Sequence, residues 1–66
     1  MSAERERLRA VVARLEAIDR ERASVMRERD RALVAARAAG ASWADMRADT
    51  GMNPTAVSKA LKRGRE

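Results

Sequence analysis

The chain contains neither glycine nor proline from Ser2 to Ala39, and this limits its fold more than any other feature. The stretch is dominated by Ala, Arg, Leu and Glu, which are good helix formers, so it predicts one continuous helix. Ser2 is a suitable N-cap, and Gly40 is a natural stop because glycine tolerates the left-handed conformation that ends many helices. A helix over this span would be about 57 Å long. We therefore expect a stalk that is longer than the usual globular helix.

Apolar residues in the first half of this helix recur at alternating spacings of three and four, as in a coiled-coil seam. The members of this stalk seam are Leu8, Val11, Val12, Leu15 and Ile18. The same register then reaches Arg22, so the seam weakens before the three to four heptads of a sustained coiled coil. A chain of 66 residues buries a small core and usually needs support, so we interpret the seam as a homodimer interface. The alternative is that this segment folds back onto its own chain.

Composition excludes several classes of protein. The chain has no Cys and no His, which removes disulfides and the usual zinc sites. It also lacks Tyr, paired carboxylates in an evident pocket and a Gly-rich phosphate loop, so we expect no enzyme, cofactor or small-molecule ligand. The N-terminus is charged from Glu4 onward, and no apolar run approaches the ~20 residues of a membrane span. These features are typical of a cytoplasmic protein without a membrane partner.

A short helix is expected after Gly40. Ser42 is a good N-cap, and Asp45 three residues later completes a variant of the capping box with a shorter acid than the usual Glu. The pattern predicts a helix from about Trp43 to Asp49. Trp43 and Met46 are three residues apart, so we expect both to share the buried face.

The stretch "GMNPTAVSKALKRGRE" predicts a second short helix. Asn53 is among the best N-cap residues, and proline is favoured at the position that Pro54 takes. Met52 and Val57 have the spacing of a hydrophobic staple. An ordinary turn at Asn–Pro would leave the following helical spacing of apolar residues unexplained. The expected cap occupies the side chain of Asn53.

The short helices and the second half of the long helix form a predicted small domain. Its expected core consists of Val25, Met26, Leu33, Val34, Ala36, Trp43, Met46, Met52, Val57, Ala60 and Leu61. We expect the last helix to end near Arg63, before Gly64. The predicted fold is therefore all-α: a helical dimerisation stalk over residues 1–27 runs into a three-helix helix-turn-helix domain over residues 28–66, which ends in a basic tail.

The segment "AAGASWADMRADTGMNPTAVSKALKR" resembles the DNA-binding helix-turn-helix of small bacterial and phage regulators. It is also similar to the C-terminal DNA-binding segments of serine recombinases and to the promoter-binding region of sigma factors. The residues that carry the resemblance are Gly40, Ser42, Met46, Gly51, Met52, Val57 and Leu61. It covers about residues 28–63. Two positions depart from the family pattern: Arg47 stands where Ala is usual, and Thr50 where Leu is frequent.

The resemblance implies that the last helix, over residues 54–63, is a recognition helix in the major groove of DNA. The side chains expected to face bases are Asn53, Thr55, Ser58 and Lys59. Those expected to hold phosphates are Ser42, Trp43, Arg47, Lys62, Arg63 and Arg65. Because Asn53 is also the expected cap, Lys59 is the stronger candidate for a base contact. A solvated basic tail is the alternative for the segment from Lys62 to Arg65.

These features together predict a sequence-specific, DNA-binding transcriptional regulator that acts as a homodimer. A repressor that occludes a promoter is the simplest mechanism, and the expected partners are double-stranded DNA and a second copy of the chain. Such a protein would be cytoplasmic and associated with the nucleoid. The alternatives are a helical adaptor or inhibitor that binds another protein, and an architectural DNA-binding protein with little sequence preference. The local net charge of +3 over residues 51–66 agrees with a nucleic-acid partner.

Overall fold

The computed structural model describes residues 2–66, and every regular element in that range is an α-helix. The elements are α1 (Ala3–Ala38), α2 (Trp43–Thr50) and α3 (Pro54–Arg65). This confirms the expected fold class, an all-α chain in which a long N-terminal helix precedes two short ones. The longest dimension of the molecule, 58 Å, is set by α1. Helix α1 continues without a break across the boundary predicted between residues 27 and 28.

The ends of α1 are fixed by local hydrogen bonds. The Ser2 side chain accepts from a backbone N–H in the first turn, as expected of an N-cap. At the other end Gly40 has a φ of +101°. The N–H of Ala41 donates to the carbonyl of Ala36, and the N–H of Gly40 donates to that of Arg37. This pair of bonds is a Schellman motif, which confirms Gly40 as the stop.

Both short helices begin as predicted, and α2 also ends at the predicted glycine. Ser42 and Asp45 form a complete capping box, with both bonds at 3.0 Å. Gly51 ends α2 in the left-handed region, with a φ of +71°. The Asn53 side chain caps α3 by accepting from the N–H of Ala56 at 2.8 Å. The connection between α2 and α3 is therefore only three residues long, with a cap on each side.

A small core joins α2 and α3 to the C-terminal part of α1. We call this assembly, from Asp30 to Arg65, the three-helix unit. Its buried apolar residues are Leu33, Met46, Val57, Ala60 and Leu61, and the partly buried Val34, Ala41 and Met52 pack against them. Helix α3 packs mainly against α1, and α2 contacts both.

Two expected core residues lie at the surface instead. Val25 is 54% exposed, because α3 ends level with Asp30 and does not reach that far along α1. Trp43 is 42% exposed. As the first residue of α2 it lies beside the Arg37 guanidinium, which is 6.0 Å from the centre of its ring. The expectation that Trp43 and Met46 share a buried face is therefore wrong for Trp43.

Gly64 lies inside α3, whereas the sequence indicated that the helix would end before it. A Cβ atom added at Gly64 would lie 2.8 Å from a side-chain methyl of Val34 and 2.8 Å from the carbonyl carbon of Asp30. It would come closer still to the Asp30 carbonyl oxygen. The backbones of α1 and α3 therefore approach closely at Gly64, and its small size permits that approach.

The substitution Gly64→Ala is expected to destabilise the three-helix unit by about 1–3 kcal/mol, because the added methyl group overpacks the α1–α3 contact. At an exposed helix position the same change would instead stabilise by roughly 0.5–1 kcal/mol. Urea unfolding at one fixed chain concentration measures the difference. Ser58→Ala, at an exposed position of the same helix, is the control and should change stability by about 0.5 kcal/mol or less. A Gly64→Ala protein more stable than wild type would contradict this close approach.

Candidate nucleic-acid interface

One face of α3 is polar, exposed and free of negative charge. The buried Val57, Ala60 and Leu61 hold the opposite face against α1 and α2. The exposed residues of the outward face are Thr55, Ser58, Lys59 and Lys62. No acidic residue occurs between Pro54 and Arg65. We call this surface the basic face of α3; with Arg65 at its end, it presents a row of positive charge beside small polar side chains.

The Asn53 side chain at the start of the basic face is committed in part to the backbone. Its Oδ1 atom accepts the bond from Ala56, so the predicted capping role is confirmed. The amide NH₂ group has two donors, and these remain the part of Asn53 that faces outward. Asn53 is exposed, so its NH₂ group can reach a base, whereas its Oδ1 atom is occupied by the cap.

The start of α2 is less suited to an anion than the sequence suggested. The backbone N–H of Ser42 donates to Asp45 Oδ2, and the Ser42 hydroxyl accepts from the Asp45 N–H. The hydrogen bond from the Ser42 backbone N–H lowers the pKa of the Asp45 carboxyl below its usual range, and the Ser42 side chain contributes a smaller effect in the same direction. A carboxylate therefore already occupies the place that the prediction gave to a phosphate at Ser42. The N–H of the neighbouring Trp43 is not part of this capping box.

Arg63, one of the predicted phosphate ligands, forms an ion pair within the chain. Its Nε donates to Asp30 Oδ2 at 3.0 Å, while Arg29 donates to Asp30 Oδ1 at 3.0 Å and 3.2 Å. Asp30 is only 5% exposed, whereas the Arg63 side chain is 50% exposed. The ion pair ties the end of α3 to α1 next to Gly64. Asp30 was not among the predicted functional residues, and its only signal in the sequence is its position one helical turn before Leu33.

Two opposing effects act on the ionisation of Asp30. Burial raises the pKa of the Asp30 carboxyl, but the hydrogen bonds and positive charges of Arg63 and Arg29 outweigh burial and hold the pKa below its usual value. A carboxyl group with a lowered pKa stabilises the fold above its ordinary titration range, and this contribution is lost as the pH falls through its folded pKa. Acid is therefore expected to loosen the end of α3 from α1.

The substitution Asp30→Asn is expected to reduce the loss of stability between pH 7 and about pH 3, because it removes this lowered carboxyl pKa. The measurement is the free energy of unfolding from urea titrations at both pH values. Asp49→Asn removes an exposed carboxyl of the same unit and is the matched control. An Asp30→Asn protein that keeps the whole pH dependence of wild type would show that the Asp30 ion pair does not contribute to it.

The other predicted ligands are exposed and lie on two different helices. Arg47 is on α2, whereas Lys62 and Arg65 are on α3, and none of the three forms an ion pair with a residue in the range 2–66. Lys59 and Lys62 are three residues apart on one helix, so they share a face. The structure thus groups the predicted ligands of α3 and leaves Arg47 on a separate helix.

The stalk seam lies far from the three-helix unit and is largely uncovered. Leu8, Leu15 and Ile18 are each more than half exposed, Val12 is 41% exposed, and Val11 is partly buried. Because α1 is one continuous helix through all of them, the alternative in which this segment folds back onto its own chain is wrong. No described residue from α2 or α3 shields the seam from water.

Comparison with protein families, with characterised proteins and with solved structures finds no match to this chain. Within residues 2–66, no helix is long and apolar enough to cross a membrane. The same range contains no group of three or more acidic or metal-binding side chains placed to hold a metal ion. The helix-turn-helix resemblance therefore stays a prediction that rests on the residues themselves.

Proposed function

We propose that this protein is a sequence-specific DNA-binding regulator, acting as a homodimer and repressing transcription by occupying a promoter. The observation that carries the proposal is the basic face of α3. Lys59 and Lys62 are exposed on it beside Thr55 and Ser58, and no acidic residue of α3 opposes them. A helix of twelve residues with such a face has the size and charge to enter the major groove.

The local structure around α3 supports this role. The connection between the two short helices is three residues long, and the buried Met46 and Val57 hold them together. The cap on Asn53 fixes where α3 begins, so the side chains of its first two turns have a defined direction. Such rigidity favours base readout, because a side chain that is already oriented loses less entropy on binding.

In the proposed complex the residues divide into two groups. Thr55, Ser58 and Lys59 face base edges, where Lys donates to guanine and the Thr methyl group contacts the thymine methyl. Lys62 and Arg65, further along the helix, hold phosphates. Arg63 contributes less to DNA than the sequence alone suggested, because its guanidinium already binds Asp30.

The stalk seam supports the homodimer. One helix-turn-helix unit makes few base contacts, whereas a two-fold dimer doubles them and reads two half-sites related by symmetry. The same exposed seam also favours a second function, a helical adaptor or inhibitor that binds a different protein. The two functions differ in what covers Leu8, Leu15 and Ile18: a second copy in the first, and another chain in the second.

Selection from a pool of random-sequence DNA duplexes tests the proposed function. Purified full-length protein is expected to enrich an inverted repeat whose half-sites are about one helical turn apart. Retention of DNA without enrichment of any sequence would favour an architectural DNA-binding protein. No retention of DNA at low salt would contradict DNA binding and favour the adaptor.

A further inference from the structure

Four charged residues follow one side of the stalk seam at intervals of seven. They are Arg7, Arg14, Glu21 and Glu28. We call them the flanking row, because each directly precedes a position of the seam register. All four are exposed, and none forms an ion pair with another residue in the range 2–66. In helical dimers, side chains at such positions determine partner choice and orientation through interhelical ion pairs.

The order of charges along the flanking row is distinctive: its N-terminal half is positive and its C-terminal half is negative. Two copies of such a helix attract each other along this row when they run in opposite directions. We propose that α1 forms an antiparallel dimer in which Leu8 of one copy packs on Val25 of the other, and Leu15 packs on Ile18. The inference rests on the proposed homodimer and specifies its direction and register.

In this register every member of the flanking row faces an opposite charge. Arg14 faces Glu21 of the second copy, and Arg7 faces Glu28. Because the dimer is two-fold symmetric, each pairing occurs twice. A shift by one heptad in either direction would instead place Arg14 against Arg14, or Glu21 against Glu21. Charge complementarity thus selects one antiparallel register among its neighbours.

A parallel dimer would bury the apolar residues comparably but would oppose like charges. The seam register continues from Ile18 to Arg22 and Arg29, and a parallel dimer sets each of these arginines against its own copy. Its flanking positions offer one attractive pairing, between Arg14 and Asp19. In the antiparallel register Arg22 packs across Val11 instead, so its charge has no like charge opposite. The difference between the two directions is therefore electrostatic.

A shallow depression on α1 matches the proposed contact. It is lined by Ile18, Glu21, Arg22, Val25, Met26 and Arg29. The Arg22 guanidinium turns aside toward Met26, where its Nη1 lies 2.9 Å from the sulfur atom. In the antiparallel register the second copy's Leu8, Val11 and Leu15 come level with this depression. The antiparallel register also gives Val25 a partner, Leu8 of the second copy, where the three-helix unit leaves the Val25 side chain exposed.

The antiparallel dimer has a geometric consequence for the proposed DNA site. Position 30 of one copy lies level with position 3 of the other, so the two Asp30 residues are about 40 Å apart. The two-fold axis is perpendicular to the plane of the paired helices, so both three-helix units lie on one side of that plane. Two units on one side of the dimer can contact the same DNA duplex together.

Engineered cysteines test the direction directly, because the natural chain has none. A disulfide requires two Cα atoms about 4.4–6.8 Å apart, so it reports which residues face each other. Full-length Leu8→Cys and Val25→Cys proteins are equilibrated in a glutathione buffer, separately and as a mixture. We expect the mixture to form a mixed disulfide, identified by mass, and each variant alone to form little. Circular dichroism checks that both variants keep the helical content of wild type.

The mass in solution of the reduced samples separates the outcomes. Dimers in which Leu8→Cys pairs with itself would overturn the antiparallel register and leave the proposed homodimer intact. A monomer at the same concentration, without any crosslink, would overturn both the register and the homodimer. DNA binding by such a monomer would still be measurable on the same sample, so loss of the register is distinguishable from loss of DNA binding.

A charge exchange is the second measurement and does not depend on crosslinking. Arg14→Glu is expected to raise the dimer dissociation constant about tenfold, since two attractive pairings become repulsive. Adding Glu21→Arg in the same chain should restore the wild-type value, because position 14 again faces an opposite charge. In a parallel dimer position 14 faces Asp19, so the second change would restore nothing. That result would overturn the proposal.

Discussion

Met46→Ala is expected to lower the free energy of unfolding of the three-helix unit by about 2–5 kcal/mol, the usual loss when a buried Met is truncated. Met46 is 2% exposed and is the member of α2 that contributes to the buried core. Its removal leaves a cavity between α2 and its neighbours in a unit whose core contains few other residues. In a domain this small such a loss can exceed the total stability, so we expect α2 and α3 to separate from α1.

The matched control is Trp43→Ala, which removes a larger apolar side chain from the same helix. Trp43 is 42% exposed and contacts the Arg37 guanidinium, so its loss should cost roughly 1 kcal/mol or less. Urea unfolding followed by circular dichroism gives both values. The structure therefore predicts the opposite order from side-chain size. A larger loss for Trp43→Ala than for Met46→Ala would show that Trp43 belongs to the core.

The double substitution of Lys59→Ala with Lys62→Ala is expected to weaken binding to duplex DNA on the order of 100-fold at moderate salt. Both lysines are exposed on the basic face of α3, and neither contributes to the core. The unfolding free energy should therefore stay close to that of wild type. Because Lys62 is proposed to hold a phosphate, the slope of log affinity against log salt should become shallower by about one.

Arg5→Ala with Arg20→Ala is the control for this experiment. It removes the same amount of charge from exposed positions of α1 that are far from α3 of the same chain. If net charge alone attracted DNA, both double variants would weaken binding equally. The proposed interface requires a much larger loss for the lysine pair. Equal losses, or unchanged affinity of the lysine variant, would contradict a role for the basic face of α3.

The sequence predicted the helices well because local chemistry decides where each one begins and where α1 and α2 end. Ser42 with Asp45, and Asn53 with Pro54, are complete start signals that need no information from distant residues. Gly40 and Gly51 ended helices as expected, since their left-handed conformations serve only the local chain. The all-α class followed from composition, because Ala, Arg, Leu and Glu are good helix formers.

The sequence could not predict the contacts that depend on how far α3 overlaps α1. Gly64 has the pattern of a helix stop, yet it is a packing position, because the stop rule does not include the distance to the backbone of Asp30. Val25 fits the apolar spacing of α1 but lies beyond the end of α3. The ion pair between Asp30 and Arg63 joins residues 33 positions apart, so no local pattern indicates it.

For the candidate site too, the sequence predicted what local helical geometry decides but not the contacts between distant residues. The outward direction of Lys59 and Lys62 follows from the helical period of α3 and the apolar residues opposite them. The commitments of Ser42 and Arg63 to other groups within the chain were not evident, since each depends on a partner placed by the fold. Because Ser42 and Arg63 already bind other groups, the proposed DNA contact depends mainly on the basic face of α3.

The mass in solution of the protein bound to a selected duplex tests the central claim, a homodimer that binds DNA, most directly. Sedimentation of a saturated complex at low salt should give two chains of 7.3 kDa on one duplex. The half-sites recovered by selection should then be related by two-fold symmetry. A saturated complex with a single chain, or no complex at low salt, would contradict the account.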